Sequence, residues 1–203
     1  MKEEVQGLAG IAELIFSFAQ VKRVTLYPDG ETFESDTDHT VMLSVVACAL
    51  ASKLYKDRLD IGKVAQFAIV HDIVEAYAGD TDTFGITEEG KIAKDAREHE
   101  ALTKLQDKFQ TSYPWLPNTV IEYERLDTEE AKFVKVVDKL MSKLTHILNN
   151  GALFKKRNTT PEEMETNYIQ LISTLEGSYG KNFPEMIELL HELMVEAKRR
   201  TYA

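Results

Sequence analysis

The sequence predicts an all-α fold, a bundle of about six to eight helices. Three observations predict it. Apolar residues recur at helical spacing along most of the chain. Capping signals open several of these stretches. Only Val24 to Phe33 has any hairpin character, and no segment alternates as a half-buried strand does.

Taken in order, Leu8, Ile11, Leu14, Ile15 and Phe18 mark a first helix to about Val21. Tyr27-Pro28-Asp29-Gly30 reads as a turn. A second helix is expected from about Asp36 to Tyr55. A third starts at the N-cap Asp60 and is expected to continue to Gly79. After the loop Gly79 to Gly85, Thr87 opens a long charged helix to about Phe109. A short helix over Pro117 to Tyr123 follows, and Asp127-Thr128-Glu129-Glu130 resembles a capping box with Asp127 as the cap. Thr160-Pro161-Glu162-Glu163 caps another helix, with proline in its first turn. The last helix follows Pro184 and carries Met186, Leu189, Leu190, Leu193 and Met194. The apolar stripes beyond Pro161 suit packing on the rest of the chain or homodimerisation.

Composition narrows the function. The chain has 203 residues, 24 basic and 34 acidic, for a formal net charge of -10. That balance argues against a nucleic-acid polymer or an anionic membrane as partner. A small anionic substrate remains compatible if positive charge is concentrated at one spot. The single cysteine, Cys48, forms no internal disulfide and reads as a small hydrophobe. The acidic start Met1-Lys2-Glu3-Glu4 is no signal peptide, and no apolar run is long enough to cross a bilayer. The expectation is a cytoplasmic protein.

The chemistry is carried by polar residues that interrupt apolar helical patterns. His71 and Asp72 fall within Val64 to Tyr77, which is apolar nearly all round. Adjacent polar groups on a buried helix are costly unless something satisfies them. Glu75 lies one turn from both. His39 shares a helix face with Leu43, Val46 and Leu50, so it points inward, as a hydrogen-bonded core histidine or as a ligand. Asp138 sits in Phe133-Val134-Lys135-Val136-Val137-Asp138-Lys139-Leu140, as a surface partner of lysine or as an inward carboxylate. Taken jointly, two imidazoles and two carboxylates make a mixed N/O set for one divalent ion, and Mn, Fe, Co, Ni and Zn all suit it. Such an ion can hold a phosphoryl oxygen and activate water.

Three blocks in order extend this pattern. Glu34-Ser35-Asp36-Thr37-Asp38-His39, His71-Asp72-Ile73-Val74-Glu75-Ala76-Tyr77-Ala78-Gly79-Asp80 and Thr128 to Leu140 resemble those of the HD-domain metal-dependent phosphohydrolases, above all the 5'-deoxynucleotidase-like branch. The resemblance implies an HD-domain helical bundle occupying residues 1–203 as a single domain, with a motif-bearing core at about 21–147 and helices 161–201 packed on it. It implies His39, His71, Asp72 and Asp138 as metal ligands. It implies Glu75 as the group that positions or deprotonates water, Asp80 as an aid at substrate or water, and Arg23 as a phosphate ligand. The implied reaction releases phosphate from a small phosphorylated substrate, a nucleotide of the deoxynucleoside 5'-monophosphate class. Two alternatives are hydrolysis of a pyrophosphate-bearing signalling nucleotide and a non-catalytic nucleotide- or metal-binding regulatory module.

The chain departs from the family at Asp38, where glutamate usually precedes the first histidine. It departs again at Val24 in place of tryptophan, and at Asp82-Thr83-Phe84-Gly85 in place of a proline-containing segment. The metal-binding positions are untouched, so these changes bear on sugar and base recognition. Among the remaining histidines, His99 reads as solvated, and His146 and His191 as structural.

Overall fold

A computed structural model describes residues 2–203. Eight helices of ten residues or more dominate the described residues: α1 (Lys2–Gln20), α2 (Asp36–Leu54), α3 (Ile61–Val70), α5 (Glu88–Phe109), α6 (Trp115–Arg125), α7 (Glu129–Leu148), α9 (Pro161–Tyr179) and α10 (Pro184–Tyr202). Two short ones, α4 (Glu75–Ala78) and α8 (Ala152–Lys156), complete the set. The hairpin expected near Val24 to Phe33 is present as β1 (Lys22–Leu26) and β2 (Phe33–Ser35), paired antiparallel.

The caps explain where the helices begin. Asp60 accepts from the Lys63 amide (3.1 Å) at the head of α3, and Thr87 accepts from Gly90 (3.2 Å) at the head of α5. Thr160 and Glu163 form a reciprocal capping box on α9. The cap of α7 is Thr128 and not Asp127, because the Thr128 hydroxyl reaches the Ala131 amide (3.2 Å). Ser35 caps α2, and the Asp38 carboxylate returns to the Ser35 amide (3.0 Å). The first departure from the family pattern is thus a capping residue.

One expected element is interrupted. The stretch from Asp60 to Gly79 is not one helix, since α3 ends at Val70 and a tighter path leads to α4. Ile73 bonds back to Val70 (3.1 Å) and Glu75 to Asp72 (2.8 Å), three residues rather than four. Apolar periodicity cannot register this change, because Ile73 and Val74 are buried on either path.

Two apolar clusters form the interior. The larger joins α2, α3, α7, α9 and α10 around Phe133, Leu140, Met141, Met164, Phe183 and Leu190. The smaller joins α1 and the segment after α3 to α5 and α6 around Phe18, Leu105 and Phe109. Met186, Leu190 and Met194 of α10 are buried within the chain, in the cluster that also holds α7. At the end of α7, Asn149 donates to the Leu26 carbonyl (2.7 Å) and ties β1 to the helix that carries Asp138. Gly151 follows in the left-handed region (φ 66°), and a side chain there would collide with Thr201 of α10. Among the described residues no helix is long and apolar enough to cross a membrane.

Candidate metal centre

His39 arrives from the first turns of α2, His71 and Asp72 from the turn after α3, and Asp138 from the middle of α7. Each offers one ligand atom, and these four atoms lie within 4.8 Å of one another. His39 Nε2 is 3.0 Å from Asp138 Oδ1, and His71 Nε2 is 4.0 Å from the same oxygen. The two imidazole rings stand 5.2 Å apart between centroids. Both readings left open for Asp138 hold in part: its carboxylate is buried and faces inward, and it also accepts from Lys139 Nζ (2.6 Å).

The tautomer of His71 follows from its neighbours. Its Nδ1 donates to the Ala68 carbonyl (2.9 Å), so Nε2 is the nitrogen turned to the cluster and free to ligate once it carries no proton. That nitrogen is 2.8 Å from Asp72 Oδ2 yet has no partner in hydrogen-bond alignment. An imidazole nitrogen and a carboxylate oxygen converging in a buried space are a donor set for a cation. His39 is backed by Glu34, whose Oε1 is 4.0 Å from Nδ1 and whose other oxygen accepts from Thr25. This outer layer orients the ring from behind. The cluster can therefore hold a divalent metal ion.

A second set of carboxylates adjoins the first. Asp36, Glu75 and Asp80 also bring oxygens within 4.8 Å of one another. Arg23 on β1 is the cation among them: its Nη1 donates to Asp36 (3.2 Å) and Asp72 (3.1 Å) and lies 4.0 Å from Glu75. Burial first, then the charges of Asp72, Asp36 and Asp80, pushes the Glu75 carboxyl up to about 11. Burial raises Asp36 to about 6, against the pull of Arg23. Burial likewise works against ionisation of Asp138, but Lys139 and the contact with His39 outweigh it and hold that carboxyl well below its usual range. Asp36 Oδ2 and Glu75 Oε2 are buried with no hydrogen-bond partner. One guanidinium is too little positive charge for this many carboxylates, and a bound cation offsets the excess.

All seven residues singled out from the sequence meet around this site. Asp36 was missed, because an acidic residue in the first turn of a helix is expected for the helix dipole alone. Arg23 lies on strand β1 and is largely covered. The loop after α4 is pinned by Arg97 to Thr81 (2.7 Å) and by Arg157 to Asp82. A cavity of about 540 Å³ runs from His39 and Asp138 past this loop, lined by Val24 and Phe84 and, farther along α7, by Lys143 and His146. Its volume falls in the ~300–1,000 Å³ range of small-ligand sites.

The fold and the site define an all-α protein built to hold a metal beside a ligand cavity. The chain belongs to the HD-domain family, whose model matches residues 18–177. The mouse protein named 5'-deoxynucleotidase HDDC2 (Mus musculus) is 28% identical over 93% of this chain and 88% of its own length. Its human counterpart (Homo sapiens) is 27% identical over 96% and 89%. Among solved structures, one described as a predicted metal-dependent phosphohydrolase from Magnetospirillum magnetotacticum MS-1 shares the fold. It has a TM-score of 0.75 at 24% identity, covering 98% of this chain and 97% of its own. A conserved hypothetical protein from Pyrococcus furiosus gives a TM-score of 0.60 at 22% identity, covering 89% and 99%. The HD-domain resemblance carried by the three sequence blocks is borne out.

Proposed function

We propose that this chain is a divalent-metal phosphomonoesterase that converts nucleoside 5'-monophosphates, the deoxy series foremost, to nucleoside and phosphate. The observation that carries this reading is the convergence of His39, His71, Asp72 and Asp138 beside Arg23 at the head of a ligand-sized cavity. The names of the curated relatives support the same substrate class.

His39, His71, Asp72 and Asp138 would hold the ion. When bound, it supplies positive charge for a phosphoryl oxygen and makes water more acidic. Arg23 engages another phosphoryl oxygen, since its Nε is buried with no acceptor in the protein. Burial and the neighbouring carboxylates keep Glu75 protonated, and the positive charge of a bound ion would offset them and return it to the carboxylate. Glu75 then takes the proton of the attacking water, whose oxygen bonds to phosphorus as the bond from phosphorus to the 5'-oxygen breaks. The proton then leaves with the nucleoside hydroxyl. Asp80, which lines the cavity beside Glu75, holds the water or the sugar by hydrogen bonds.

The test is a panel of deoxynucleoside and ribonucleoside 5'-monophosphates assayed with Mn, Co, Ni, Zn and Mg. Inorganic phosphate is expected from the monophosphates, with loss of turnover in EDTA. Release of pyrophosphate from a pyrophosphate-bearing nucleotide in place of phosphate would overturn the reading, as would tight nucleotide binding without turnover under any of these ions.

A further inference from the structure

The far end of the cavity is built differently from the metal end. On α7, Asp138, Ser142 and His146 form one ridge at helical spacing, and Lys139 and Lys143 run beside it. All five line the cavity. At 1.5 Å per residue, the ridge carries the cavity about 12 Å from Asp138 to His146. That distance is comparable with the reach from a 5'-phosphate to the far edge of a nucleobase.

Lys143 is the anomaly there. The residue is 7% exposed, and its ammonium donates only to Ser142 Oγ (2.9 Å). No carboxylate pairs with it among the described residues, whereas neighbouring Lys139 is paired with Asp138. Burial, with the charge of Lys139 adding to it, pulls the Lys143 ammonium down to about 7. A buried donor with unused hydrogens is costly unless a ligand uses them.

Its surroundings indicate which ligand. The ammonium lies 5.5 Å from the centre of the Tyr168 ring. Phe154 packs edge-on against His146 (4.5 Å) and Phe84 (5.7 Å). His146 is neutral, because burial and then Lys143 lower its imidazole to about 3. Aromatic walls with one ammonium suit a flat ring that carries an oxygen acceptor. A second phosphate would ask for several donors or a guanidinium fork, and Arg157 is already engaged with Asp82.

We propose that the chamber between α7 and α9 is a nucleobase subsite in which Lys143 donates to a ring carbonyl. It favours thymine, uracil, cytosine and guanine over adenine, which has no carbonyl. The identity of the ligand as a nucleotide rests on the phosphomonoesterase reading; the selectivity is tested without turnover. Binding of free thymidine and free deoxyadenosine to the whole protein is measured by calorimetry. Thymidine is expected to bind about tenfold tighter, the usual worth of a hydrogen bond from a charged donor. In Lys143→Met that ratio falls to near unity, and in Lys143→Gln, which keeps a donor, part of it returns. Should the Met variant not fold, the wild-type ratio and the Gln variant decide. Equal binding of the two nucleosides by the wild type, or a preference that persists undiminished in the variants, overturns the subsite. A preference for a nucleoside 3',5'-bisphosphate over the 5'-monophosphate that is lost in Lys143→Met overturns it in favour of a second phosphate. Failure of monophosphate hydrolysis with this selectivity intact counts against the proposed reaction alone.

Discussion

The two faces of α7 differ in kind. One carries Phe133, Val137, Leu140 and Met141, all buried in the larger apolar cluster. The other carries Asp138, Lys139, Ser142, Lys143 and His146, a line of polar groups along the cavity. The first face is satisfied by packing, which is non-directional and contributes stability in proportion to area. The second holds buried groups whose partners are few or missing, as Lys143 shows, and such groups reduce stability unless a ligand completes them. A single helix thus separates what holds the fold from what the fold is for, and substitutions on the two faces should separate in the same way.

The sharpest break comes on the polar face. Asp138→Asn keeps the volume and removes the charge. Monophosphate turnover should fall by about four orders of magnitude, on the order of 5 kcal/mol of barrier, with helical circular dichroism retained. Retained activity, or loss of the helical signal, would erase the contrast. On the apolar face, Phe133→Ala should cost about 3–5 kcal/mol in denaturant unfolding. The folded fraction should keep its kcat/KM within about twofold, because Phe133 lies away from the cavity lining. A smaller effect belongs to the seam after α7. Gly151→Ala places a methyl group in a left-handed residue against Thr201, and should cost about 1–3 kcal/mol of stability. An unchanged unfolding midpoint would show that α8 and α10 can shift apart freely.

Much of this arrangement was legible in the chain. His39, His71, Asp72 and Asp138 stood out because each interrupts an apolar helical run, and an interruption in a core demands a reason. The caps at Asp60, Thr87 and Thr160 were legible because a side-chain acceptor three residues before an amide is a local matter. The break between α3 and α4 was not, since burial on nearly all sides gives the same pattern for either helical pitch. Asp36 was hidden by its ordinary role in a helix's first turn. The Lys143 to His146 stretch was hidden for a different reason. His146 has no ligand-spaced partner in the sequence, and its significance comes from α8 and α9, which close the cavity over it. Of the departures from the family pattern, Asp38 proved to be a cap, whereas Val24 and Phe84 line the cavity.

The most direct measurement is the metal content of the purified protein and of Asp72→Ala by plasma mass spectrometry, read beside phosphate release from a deoxynucleoside 5'-monophosphate. At least one divalent ion per wild-type chain is expected, with metal and turnover lost together in the variant. Undiminished turnover by metal-stripped protein in EDTA, or a variant that retains its metal in full, would contradict the account.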